Sequence, residues 1–175
     1  RRDETVELGA PTAQTIGADA LYSFSPSLNF TTYYAQTTKK GIVSGNDSYL
    51  TSFNYNADRY AFQVERQKVA PRFNPEMGFM RRTDFVRNFV HTRFSPRPDR
   101  NHMKAIRRFV YQADLEYIAN NRGRLDLREQ SAQFGIEFFN SDRLTVDFNR
   151  DYEFIPRPFA IAAGVTVPVG GYTYQ

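Results

Sequence analysis

Two histidines, 19 carboxylates and 23 basic side chains carry most of the acid–base and ionic chemistry open to this 175-residue chain, because cysteine is absent. Without it there is no thiol nucleophile, no disulfide framework and no thiolate metal site. His91 and His102 stand eleven residues apart, outside His-Glu-x-x-His or any comparable ligand spacing. They read as surface or lumen histidines, and neither a metal nor a cofactor is expected. Two pairs of acids, Asp114/Glu116 and Asp147/Asp151, supply the carboxylates that a glycosidase needs. On alternating strands such pairs more simply wet a polar face. There is no Gly-x-Ser-x-Gly elbow, phosphate loop or dinucleotide fingerprint, so no catalytic residue is assigned.

The basic residues are concentrated. Residues 66–108 hold twelve of the 23 Lys and Arg and only three acids, a local charge of +9 against −5 elsewhere, which the overall +4 conceals. Phe and Tyr interleave with these cations, as in a nucleic-acid surface, but no recognised motif accompanies them and no nucleic acid is expected. The segment reads as a basic lumen or rim built from Arg87, Arg93, Arg107 and Arg108. Such a field attracts an anionic solute or the phosphates of lipopolysaccharide. At its start lies Phe73-Asn-Pro-Glu-Met-Gly-Phe-Met-Arg-Arg-Thr-Asp-Phe85, where Pro75 and Gly78 forbid a regular helix or central strand. Phe73 and Phe79 are expected to anchor this connection while Glu76, Arg81, Arg82 and Asp84 form a local charge network.

The elements that position these residues are strands. The chain has 16 Phe, 11 Tyr and no Trp, and Phe and Tyr favour pleated surfaces. From Thr15 the pattern has period two, with Ile16, Ala18, Ala20, Tyr22 and Phe24 on one face and Leu21 as an exception. Further runs follow at about 28–36, 48–56, 59–66, 83–94, 105–119, 124–139 and 144–149, with one last strand in 164–175. The run 83–94 alternates poorly, and 105–119 alternates best. This predicts about nine strands and no helix over 15–175, after a flexible lead-in at 1–14. Connections alternate between short (25–27, 56–58, 140–142) and long (37–47, 67–82, 150–163).

Several of these runs reach roughly 9–15 residues, enough for a tilted strand to cross a bilayer, which takes about 9–11. No stretch of about 18 apolar residues is present to cross as a helix. The expected fold is all-β: an antiparallel up-and-down meander forming a section of a transmembrane β-barrel in the bacterial outer membrane. A channel, transport component or envelope scaffold with a polar, partly basic lumen follows, with outer-membrane lipid, lipopolysaccharide, an anionic solute or carbohydrate, and other envelope proteins as partners. An odd strand count, a first residue other than Met and a final Gln175 suggest a section of a longer chain. Two alternatives use the same alternation. One is a soluble all-β carbohydrate-binding module with Tyr and Phe as stacking platforms, and the other is an envelope glycoside hydrolase component.

The segment Phe73–Phe85 resembles the signature of a large bacterial family of unknown function. Gly17-Ala18-Asp19, Tyr34-Ala35-Gln36 and Phe159…Gly164-Val-Thr-Val-Pro-Val-Gly-Gly-Tyr-Thr173 resemble the same family's barrel. Members carry a domain similar to family-9 carbohydrate-binding modules, followed by a long outer-membrane β-barrel. The resemblance implies that this chain is a section of the barrel, with the sugar-binding-like domain before Arg1 and further strands after Gln175. It supplies no catalytic residues.

Overall fold

A computed structural model describes residues 13–39, 41–42, 44–75, 80 and 82–175. The alternating runs become β1 (Gln14–Ser25), β2 (Leu28–Thr38), β3 (Asp47–Asn56), β4 (Tyr60–Val69), β5 (Phe85–Phe94), β6 (Ile106–Ala119), β7 (Leu125–Phe138) and β8 (Arg143–Ile155). The tail adds β9 (Phe159–Ala162), β10 (Val165–Val167) and β11 (Gly170–Tyr174). No helix occurs among the described residues. β1 to β8 pair in chain order, each antiparallel to the next, and β11 joins β8 as the ninth strand. The antiparallel meander expected from the alternation is therefore present. The sheet is open: β1 and β11 are its edges and do not pair with each other. The lead-in expected over 1–14 lies outside the described residues up to residue 12, and Gln14 already belongs to β1.

The tail departs from the single strand expected there. β9 and β10 form a separate two-stranded hairpin whose turn uses Gly164 at a positive φ of 78°. Pro168 has no N–H to give a ladder, so the chain breaks there and only β11 reaches the main sheet. β8 runs past Asn149 to Ile155 because it has partners on both sides, β7 and β11.

Strand pairing assigns every side chain to one of two faces. Rows such as Tyr22–Phe30–Phe53–Val64–Val90–Leu115 and Tyr60–Phe94–Tyr111–Phe134–Val146 cross the sheet on one face. Opposite them run Glu65–Phe89–Glu116–Glu129–Asp151 and Gln63–His91–Asp114–Ser131–Asn149. The poor alternation of β5 now has a reason: Phe89 on the polar face lies under the Arg87 guanidinium, 5.2 Å from its carbon. The apolar face is the more exposed one, with Leu144, Val146 and Phe148 at 52, 60 and 53%. Side chains of Arg87, Glu65 and Glu116 on the polar face are only 26, 16 and 23% exposed.

The apolar band runs obliquely across the paired rows. Its polar boundary lies at Gln36 and Asp47 on β2 and β3, which pair with each other. On β4 it has moved to Arg66, opposite Thr51, four residues along from Asp47. On β7 and β8 it reaches Gln130 and Arg150, in the row of Leu115, Val90 and Val64, two residues beyond Arg66. The opposite boundary drifts the same way, from Leu28 and Tyr55 to Tyr60 and Phe94, then to Ile136 and Leu144. A level band crossing tilted strands has this form.

Buried apolar packing concentrates at the long-connection rim. Val69, Ala70 and Phe73 are buried there, with Ala35, Met80 and Phe85 against them. Backbone bonds from Ala70 N to Asp47 O (2.9 Å) and Arg72 N to Gly45 O (2.8 Å) knit this connection to the one between β2 and β3. Phe73 thus anchors its loop as expected, whereas Phe79 lies outside the described residues. Truncating Phe73→Ala should cost about 3 kcal/mol. Denaturant unfolding measures the loss, and amide exchange at Ala70 and Arg72 should quicken before that of β6 and β7. Unchanged stability would show that the ring anchors nothing.

Candidate functional site

Of the residues expected to carry binding, Glu76 and Arg81 lie outside the described residues. Arg82 reaches across to the start of β7 and Asp84 to the β6–β7 connection. Arg82 pairs with Asp126, which also accepts from Arg124 Nε at 3.0 Å. Asp84 sits at φ 60°, a left-handed conformation that Asp tolerates better than most residues. Its Oδ1 accepts from Asn121 N (3.2 Å) and Nδ2 (3.0 Å), and that Nδ2 also donates to Val69 O at 3.0 Å. The charges therefore tie the connection to its neighbour. Asn121 and Asp126 complete the arrangement, yet in sequence Asn121 stands out only as a turn residue and Asp126 only as part of the strand run 124–139.

The four remaining arginines separate. Arg87 on β5 bridges Glu65 on β4 and Glu116 on β6, the latter through Nε at 2.5 Å. Arg108 grips Glu137 with two bonds, Nε to Oε2 at 2.7 Å and Nη2 to Oε1 at 2.9 Å, the fork geometry that makes such pairs strong. Arg93 donates from Nη2 to Asn56 Oδ1 (2.9 Å) and Ala57 O (2.8 Å), holding the β3–β4 turn. Arg107 is exposed at the register shift between Ile106 and Arg108.

Three of the four acids considered for hydrolysis are already engaged. Asp114 lies 2.6 Å from His91 Nδ1 through Oδ1, and its Oδ2 accepts from Ser131 Oγ at 3.2 Å. Glu116 holds Arg87, and Asp147 accepts from Gln133 Nε2 at 2.5 Å. Among the described residues no group of three or more His, Asp or Glu is arranged to hold a metal.

Two hollows open on the polar face, and they differ in charge. One, of about 280 Å³, lies among Asp114, Glu116, Glu129 and Asp151, with Ser131 and Asn149. The other, of about 140 Å³, lies nearer the short-connection rim, with Arg93, Arg108 and Arg143 facing the single acid Glu137. The basic character expected of this face is thus local to one end. Gln112 and Gln133, paired across β6 and β7, lie between the two hollows.

A groove of about 630 Å³ on the apolar face is edged by Tyr60, Phe62, Phe94, Tyr111, Phe134 and Phe148. Tyr60 stacks on Phe94 at 5.1 Å, and Phe94 stacks on Tyr111 at 6.1 Å. The rings form a continuous aromatic belt across four strands.

Comparisons with protein-family models, curated proteins and solved structures find no match to this chain. No helix among the described residues is long and apolar enough to cross a membrane, which has no bearing on crossing by strands.

Two outcomes follow. Replacing Arg87→Met strands two half-buried glutamates and should cost about 2 kcal/mol. Adding Glu65→Gln and Glu116→Gln should restore most of it, measured by chemical unfolding; no rescue would mean that Arg87 acts through packing on Phe89. In the β5–β6 connection, the Asn101 backbone N–H and then the His102 side chain hold the Asp99 carboxyl below its ordinary range. Its contribution to that turn is complete above the ordinary aspartate range and lost as pH falls through the lowered value. The Asn101 amide resonance should titrate accordingly, and Asp99→Asn should abolish the transition.

Proposed function

We propose that this chain is a section of an outer-membrane β-barrel, with its apolar face against lipid and its polar face lining an aqueous lumen, in a channel, transport or scaffold role. The observation that carries this reading is the uncovered apolar band drifting steadily across the strand register. In water such a face carries a large unfavourable contact area, whereas in a bilayer it meets acyl chains. The resemblance of Phe73–Phe85 to the outer-membrane family points the same way. An open nine-stranded sheet leaves backbone groups unpaired at both edges, at several kcal/mol each in lipid. Closure by further strands belongs to the proposal.

The two rims support an orientation. Connections 26–27, 57–59, 95–105 and 139–142 lie at one rim, and 39–46, 70–84, 120–124 and 156–169 at the other. Barrels of this class keep short turns inside and long loops outside, which puts the second rim at the cell surface. On that side the band ends in Arg66, Arg128 and Arg150. Among the described residues Arg66 is bonded to the neutral Tyr49 hydroxyl (3.2 Å) and Asn88 Oδ1 (2.7 Å) and to no acid. Asp47 and Asp126 nearby are already held by Lys68 and by Arg82 and Arg124. Lipid or lipopolysaccharide phosphates are the partners proposed for this row, with Tyr49, Tyr117 and Tyr152 as the interfacial belt.

A carbohydrate-binding module is the second reading, favoured by the aromatic groove. Sugar recognition also needs polar groups converging on the rings, and on that face the groove residues offer the hydroxyls of Thr92, Tyr60 and Tyr111 and no amide or charged side chain. The enzyme reading has no comparable support in the engaged acids.

The protein should require detergent or lipid to remain monodisperse. Phe148→Arg, on the band, should cost about 2–4 kcal/mol in vesicles, whereas Asn149→Arg, on the polar face, should change stability by about 0.5 kcal/mol or less. A monodisperse protein in plain buffer, or equal effects of the two substitutions, would sink the membrane reading.

A further inference from the structure

We infer that the smaller hollow of the polar face is a binding site for a small oxyanion: inorganic phosphate or sulfate, or the charged head of a larger solute. This deepens the proposed lumen reading but stands on different observations. Three guanidinium groups, Arg93, Arg108 and Arg143, border a space of about 140 Å³ against one carboxylate, Glu137. Glu137 is bonded to Arg108 through both oxygens, and the lining carries two positive charges in excess. Among the described residues Arg143 hydrogen-bonds to the neutral Gln133 Oε1, at 3.2 Å, and makes no ion pair.

Two residues bordering this space carry a buried donor with no partner among the described residues. Ser95 is 2% exposed and its hydroxyl has no partner, and the buried Arg93 Nε also has none. Buried polar groups are nearly always satisfied, and an orphan marks a missing water, ion or ligand. Here both orphans line one hollow already biased toward anions. Its volume is several times the ~30 Å³ share of one water molecule, enough for a tetrahedral oxyanion with attendant water.

The register explains why the space exists. Val110 pairs with Gly135, and Gly135 pairs with Thr145. This row of small residues, with Ser95 beyond it at the end of β5, lies between Arg93–Gln112–Gln133 on one side and Arg108–Glu137–Arg143 on the other. Gly135 adds no side chain over the floor, so long arginines surround an unfilled centre. Arrangement of several guanidinium groups around a small void is how proteins hold phosphate and sulfate.

The test is calorimetric titration of the full-length protein in detergent, at low ionic strength, with inorganic phosphate. Wild type should bind, and added salt should weaken the binding. Ser95→Ala should weaken it about 5-fold without loss of stability, since it removes an unbonded hydroxyl, and Arg143→Gln about 10-fold. A sugar phosphate binding as tightly as phosphate, alongside a silent neutral sugar, would place the head of a larger solute in the hollow. Tighter binding of inorganic phosphate or sulfate would assign it to free ions. Equal binding by wild type, Ser95→Ala and Arg143→Gln overturns the site, and so does no binding at all, which leaves a structural water as the partner of Ser95. The outcome is separable from the barrel reading: phosphate binding by a protein monodisperse without detergent keeps the site and removes the membrane, and a detergent-dependent protein that binds none does the reverse.

Discussion

The pairing of β1 to β8 in one continuous antiparallel register is the constraint on which every other feature depends. Side chains alternate across a strand, so a slip of one residue between neighbours would exchange the faces of everything beyond it. Irregularities are confined to strand ends, at Ser23/Ser25, Ile106/Arg108 and Ile118/Ala119. Between them the ladder is regular, and it is this regularity that gathers scattered aromatics into one wall and scattered charges onto the other. Neither face comes from a local motif.

Charge on the polar face is organised across strands rather than along them. Arg87 needs Glu65 and Glu116, which lie 22 and 29 residues away in sequence. Arg108 needs Glu137, and Asp114 needs His91 and Ser131. In a half-buried setting a lone guanidinium or carboxylate is costly and a bonded pair is tolerated. Acids are therefore spread over β4, β6, β7 and β8 to meet the cations of β5 and β6. The hollow beside Ser95 is where this matching falls short, with three arginines to one acid.

The opening of the basic region, Phe73–Phe85, has a structural role that its density of charge and punctuation suggests only in part. Phe73 is an anchor because Val69 and Ala70, at the end of β4, bring an apolar shelf to it. Arg82 and Asp84 serve as ties to the start of β7 and to the β6–β7 connection, and Asn121 joins Asp84 to the carbonyl of Val69. Three connections of one rim are thereby tied to one another in the middle of the sheet.

Alternation in the chain was enough to mark about nine strand runs and which residues of a run share a face, since a period of two follows from strand geometry alone, and the lengths of the connections suggested the meander. It was also enough to mark Asp114 and Glu116 as companions, while the concentration of basic residues singled out Arg87, Arg93, Arg107 and Arg108, of which Arg107 lies exposed at the register shift of β6. What it left open was which charges meet, because that depends on register between strands. The clustering of Arg93 and Arg108 with Arg143, the separation of Arg87 into an acidic row, and the orphaned Ser95 hydroxyl emerge only when β5 to β8 are laid side by side. The division of the tail into a hairpin and a ninth strand is likewise a tertiary outcome, because Pro168 interrupts a run whose composition alone reads as continuous and β11 pairs along the free side of β8.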